Sequence, residues 1–174
     1  MAEVKYIIFV LGKQKFGINL AEINGIEQNY NVVPSPFGAK DIKGMIHLRN
    51  EIIPVLDLKS RFLITEEADV VNKQLLVSDT HGMLIGVEVD DMIGIVTLDE
   101  SEVRSVPDAV YGVETEYLEG VIRVSVDTGD STGSKSGKPE VIICVGIDKI
   151  LTENEFSSVS DALEKRKSAE EKND

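Results

Sequence analysis

The 174-residue chain contains no tryptophan, and its aromatic share is only 5%. A core without large rings must be packed from isoleucine, valine and leucine, and that β-branched bias favours strands. Its one cysteine, Cys144, has no partner for an internal disulfide. Cys144 lies in the apolar run Val141–Val145, where a small buried hydrophobe is the expected role. Histidine is almost as scarce: His47 and His81 fall in unrelated positions, and no Cys/His spacing resembles a zinc site. Basic residues are outnumbered, 18 against 31 acidic, for a net charge of −13. Proteins that grip nucleic-acid phosphates or anionic lipid gather Lys and Arg on one face, and no such cluster is visible. No apolar run approaches the roughly 18 residues that cross a bilayer. The opening Met1-Ala2-Glu3-Val4-Lys5 also lacks the basic-then-apolar pattern of a secretion signal. A cytoplasmic protein that neither binds nucleic acid nor inserts in a membrane is expected.

Reactive constellations are missing as well. The Gly-rich stretch Gly129–Lys138 invites a phosphate-loop reading, but a Walker pattern ending at Gly137-Lys138 has Thr132 and Pro139 where glycine and Ser/Thr are required. The neighbouring acids Asp90-Asp91 and Asp99-Glu100 lack the alternating loop of an EF-hand and read as solvated turns. No nucleophile, metal cluster or cofactor cradle remains, so no enzymatic activity and no cofactor are expected.

What the chain does have is an internal repeat. Lys5–Arg61 and Gln74–Thr152 carry one pattern twice. Each copy opens with an apolar strand, Tyr6–Leu11 and Leu75–Ser78, then a Gly-containing link, then Phe16-Gly17-Ile18 or Ile85-Gly86-Val87. Phe16, Ile18 and Leu20 alternate with Gly17, Asn19 and Ala21, after which the phase slips to Ile23 and Ile26. Copy two slips in the same way, from Ile85, Val87 and Val89 to Met92 and Ile95. A slip of this kind predicts a bulge or a sharp bend, which small closed barrels use at their corners. Gly44 and Gly120 then open matching apolar strands. Pro54 marks an edge position or a bulge in the next strand. Asp57 has the chemistry of an N-cap for a short helical turn over Leu58–Phe62.

Ile64–Asn72 is polar and acidic, a linker between copies, and Asp127–Lys138 has the composition of an extended, mobile hairpin loop. Phe156, Val159 and Leu163 recur at helical spacing behind a capping Asn154, and Glu164–Asp174 is a charged tail. Glu22 and Arg49 stand beside apolar residues. Two solvated side chains are one reading. The other is a pair that borders an apolar groove and orients a bound helix, since Arg is a common anchor at interfaces.

The segment Ile42-Lys43-Gly44-Met45-Ile46-His47-Leu48-Arg49-Asn50-Glu51-Ile52-Ile53-Pro54-Val55-Leu56-Asp57-Leu58 resembles the signature of the CheW family. Phe16-Gly17-Ile18 with Glu22-Ile23, and Thr115-Glu116-Tyr117-Leu118-Glu119-Gly120, resemble its two copies. The likeness runs from Tyr6 to Leu151. It departs at His47 and Asn50, where the family has Asn and Gly; Asn tolerates left-handed backbone angles, so the turn can survive.

The resemblance implies a mainly β fold of two pseudo-repeated five-stranded Src-homology-3-like barrels packed together, plus a C-terminal helix. The expected division is a CheW-like domain over 1–152, with copies at about 5–62 and 74–152, and a helix with charged tail over 153–174. The implied role is a non-enzymatic adaptor that couples chemoreceptors to the histidine kinase CheA. Two other readings stand beside it: a small β-barrel nucleic-acid binder, and a CheW-like scaffold of a non-motility array. By resemblance, Leu20, Glu22, Ile23, Ile26 and Arg49 face the receptor. Lys43, Met45, His47 and Leu48 are the kinase-facing candidates.

Overall fold

The structure is a computed structural model that describes residues 2–34, 41–80, 82–106, 117–125 and 139–150. Asp127–Lys138, His81, Asn154, the Phe156–Leu163 stripe and the charged tail lie outside the described residues. Copy one supplies β1 (Glu3–Leu11), β2 (Gln14–Asn19), β3 (Gly25–Glu27), β4 (Ile42–Leu48), β5 (Glu51–Asp57) and the short helix α1 (Leu58–Arg61). Copy two supplies β6 (Gln74–Thr80), β7 (Met83–Val89), β8 (Asp91–Asp99), β9 (Leu118–Ser125), β10 (Pro139–Val145) and α2 (Ile147–Ile150). Asp57 caps α1 as its chemistry predicts, its side chain accepting from the Ser60 N–H at 3.2 Å.

The strands form two five-stranded sheets, ordered β8-β1-β2-β10-β9 and β3-β6-β7-β5-β4. The two orders are equivalent under exchange of the copies, yet neither sheet belongs to one copy. Each takes the first two strands of one repeat and the last three of the other. The phase slips are therefore more than corner bends within a barrel. They are the places where the chain leaves one sheet for the other. In copy one a 3-10 turn, Leu20–Glu22, makes the crossing. In copy two the crossing falls at Asp90, and a register shift follows where Phe9 pairs with Met92 but Ile8 with Gly94.

Isolated bridges bring the ends of each sheet together, Val33 to Met45 and Arg104 to Val121. Here the repeat glycines become intelligible. A Cβ on Gly120 would lie 2.9 Å from the Arg104 carbonyl oxygen, and one on Gly44 would run into the Val33 carbonyl. Pro54 fits for a related reason. Its partner Met45 exchanges backbone hydrogen bonds with Val33 instead, and β5 pairs with β7 only from Val55 onward.

Three apolar clusters follow from this topology. Tyr6, Ile8, Ile122, Val124, Ile142 and Cys144 fill the first sheet's concave side. Ile46, Ile53, Val55, Leu75 and Val77 fill the second's. A larger cluster draws on both sheets, including Ile7, Phe9 and Phe16 from one and Leu56, Leu76 and Val87 from the other. Successive side chains of β1 thus point into different clusters, which explains its unbroken apolar run. Burial of Cys144 matches the expectation, and burial with the nearby Glu119 carboxylate pushes its thiol up to about 12.

One polar expectation is overturned. Asp90, read as part of a solvated turn, is 6% exposed. It accepts the Gly12 N–H at 2.7 Å and lies 3.5 Å from Lys59 Nζ. A buried carboxylate of this kind holds the crossover in place. Asp99 behaves as an exposed acid should, closing a capping box over Glu100–Glu102. The Ile64–Asn72 linker carries no strand or helix, but Ile64 packs on the shared core.

Candidate functional site

The β4–β5 hairpin turns through Arg49 and Asn50, with φ of 51° and 64°. Two consecutive left-handed residues are the type I′ pattern, whose twist matches the flanking strands. Asn50 suits it. Arg49 is strained there, because its Cβ crowds the backbone. Its side chain is 79% exposed and lies 3.7 Å from Glu27 on β3. Beneath it is a groove of about 240 Å³ whose apolar lining includes Leu48, Ile53, Val77 and Leu84. Arg49, Leu48 and the β3 strand therefore share one surface.

The other receptor-facing candidates sit deeper than their pattern suggests. Leu20, Ile23 and Ile26 are half-buried and pack against the core shared by the two sheets. Glu22 turns toward a different set of groups. It accepts the Ile147 N–H at 3.4 Å, and its carboxylate joins Glu119 and Asp148, with oxygens all within 4.8 Å of one another. Burial and the neighbouring Glu119 push the Glu22 carboxyl up to about 7. Carboxylates this close cannot all ionise cheaply, so the cluster holds a proton near neutrality. The expected association of Glu22 with Arg49 gives way to two separate arrangements, Arg49 with Glu27 and Glu22 with Glu119.

Among the kinase-facing candidates, His47 is exposed and Leu48 half-buried. Met45 is 6% exposed and packs with Ile42, Ile52 and Met83, so it supports the surface from beneath. Lys43 binds Glu88, which also accepts the Tyr30 hydroxyl at 2.7 Å. Burial alone would raise the Glu88 carboxyl, but hydrogen bonds from Lys43 and Tyr30 outweigh it and hold the group below its usual range.

Sequence reasoning missed Arg61 and Asp41. Arg61 Nη1 lies 2.8 Å from Asp41 Oδ2, its Nη2 donates to the Ile150 carbonyl at 2.8 Å, and its guanidinium lies over the Tyr117 ring. These contacts tie α1 to α2 and to the start of β9. Their local spacing carries no signal for contacts so distant in the chain.

A family model described as a CheW-like domain matches residues 5–155. The chain belongs to the CheW-like domain family. The CheW-like chain is 27% identical over 158 residues to a chemotaxis protein CheW of Klebsiella aerogenes, covering 89% of this chain and 86% of that one. It is 26% identical over 125 residues to a chemotaxis protein CheW of Treponema pallidum, covering 70% and 74%. Its fold matches the crystal structure of the scaffolding protein TtCheW from Thermoanaerobacter tengcongensis with a TM-score of 0.72 at 22% identity. That match covers 89% of this chain and 92% of the other. No helix among the described residues is long and apolar enough to cross a membrane.

Proposed function

We propose that this CheW-like chain is a non-enzymatic adaptor in the cytoplasm that couples chemoreceptors to the histidine kinase CheA. The observation that carries the reading is Arg49, a strained and exposed cation above an apolar groove on a CheW-like barrel. Backbone strain concentrates where function requires it, and an Arg beside aliphatic surface suits the end of an amphipathic helix. Leu20, Glu22, Ile23 and Ile26 support that face from the crossover, and His47 and Leu48 offer the kinase-facing contacts of β4. Two modest interfaces cooperate in an array because the second contact becomes intramolecular.

The net charge of −13 speaks against the nucleic-acid reading. A non-motility array would use the same scaffold, differing only in the receptors served. Calorimetric titration with a receptor-tip fragment and with the CheA regulatory domain, singly and together, tests the proposal. Arg49→Glu should weaken receptor binding by about tenfold or more, a loss of about 1.4 kcal/mol, with CheA binding retained. Failure to bind either partner, or equal receptor binding by Arg49→Glu, would overturn it. Ile23→Asp is a poorer probe because Ile23 packs on the shared core.

A further inference from the structure

A second groove, of about 390 Å³, has no part in the adaptor reading. Its apolar lining is Phe16, Phe62, Leu63, Ile64, Leu118 and Ile143, with Tyr117 beside them. Phe62 links two of its rings, 5.4 Å from Phe16 and 5.9 Å from Tyr117 between centroids. Leu63 stands on its rim, 73% exposed. It ends α1 with φ of 57°, donating to the Ser60 carbonyl at 3.2 Å while Ile64 donates to Lys59 at 2.8 Å. Glycine is the usual residue in that left-handed place. Leucine there sets an apolar side chain at the groove's edge.

The described chain ends close by. The Ile150 carbonyl accepts from Arg61 Nη2 at 2.8 Å, and the Arg61 guanidinium lies 5.0 Å from the centre of the Tyr117 ring. Residues 151–174 therefore start beside a wall of the groove. Their sequence carries Phe156, Val159 and Leu163 at helical spacing, with Ser157, Ser158 and Asp161 on the remaining faces. Such a stripe is too narrow to form a core by itself and requires an apolar partner surface. The stretch from Ile150 to Phe156 spans up to about 20 Å when extended, enough to reach the groove.

We propose that the segment bearing Phe156, Val159 and Leu163 docks as an amphipathic helix in the groove between Phe62, Leu63 and Tyr117, covering it from within the chain. The contact is intramolecular and independent of the adaptor function.

The full-length chain tests this with a nitroxide attached at Ser158→Cys. Cys144 is 0% exposed and stays unlabelled. The amide signals of Leu63, Thr65 and Leu118 should broaden, unchanged on dilution. Phe156→Asp with Leu163→Asp should abolish the broadening and speed exchange of the Leu63 and Ile64 amides about tenfold. Protection of β1 and β6 should stay intact in that variant, showing that the barrels remain folded. Leu63→Asp should release the tail from the groove side and abolish the same broadening. Absence of broadening in the parent, or its persistence in both variants, would overturn the proposal. Broadening that fades on dilution would assign the groove to a second copy and overturn it equally.

Discussion

The carboxyl of Glu22 meets that of Glu119 where the chain crosses from one barrel to the other, and each raises the cost of ionising its neighbour. The Glu22 carboxyl is thereby pushed up to about 7 from an ordinary 4.5. A raised folded-state value means that the folded protein holds the proton more tightly than the unfolded chain. The associated stability is complete below the ordinary value and is lost as pH rises through the folded one. Relative to Glu22→Gln, the parent should lose stability between about pH 4.5 and 7 and change little above that range. Urea unfolding of both proteins at a series of pH values measures the difference, and a flat difference would refute the shared proton.

Arg49→Asn should raise stability while lowering receptor affinity. Asn is favoured in the type I′ turn that Arg49 occupies at φ of 51°. Relief of the strain is worth up to about 1 kcal/mol. Thermal midpoints and titration with a receptor-tip fragment should move in opposite directions. Movement together would place the binding energy elsewhere.

Arg61→Ala should cost about 3–5 kcal/mol, because it strands the Asp41 carboxylate, 11% exposed, without its cation. Arg61→Met combined with Asp41→Asn should cost less than the two single changes added, since they remove one shared interaction. Additive losses in denaturant melts would count against a coupled pair.

Gly44→Ala should lower stability by about 1–3 kcal/mol, the usual cost of forcing atoms into a packed site. The new Cβ would press on the Val33 carbonyl where the sheet ends meet. Gly25→Ala is the control, because nothing lies within 4 Å of its added Cβ. That change should stay within about 0.5 kcal/mol. Equal effects at the two positions would contradict the close approach.

Much of the fold was legible in short stretches of chain. The alternation around Phe16-Gly17-Ile18 marked β2, Asp57 marked the start of α1, and His47–Asn50 marked the hairpin that presents Arg49. The candidate site was less legible. Arg49 was placed correctly at an exposed turn, but its left-handed strain and its neighbour Glu27 were not foreseen. Glu22 was assigned a solvent-facing role, whereas its carboxylate lies with Glu119 and Asp148, which come from distant parts of the chain. Asp90 looked like an ordinary surface acid because its partner Gly12 is far away in sequence.

The sequence by itself determined the duplication, the strands and the turn chemistry, because periodicity, caps and left-handed positions are local properties of a chain. Only the tertiary structure decided which strands share a barrel, that the phase slips are crossings, and which buried charges meet. Those outcomes depend on contacts between segments many residues apart, and a local pattern compatible with either sheet does not record which one it joins.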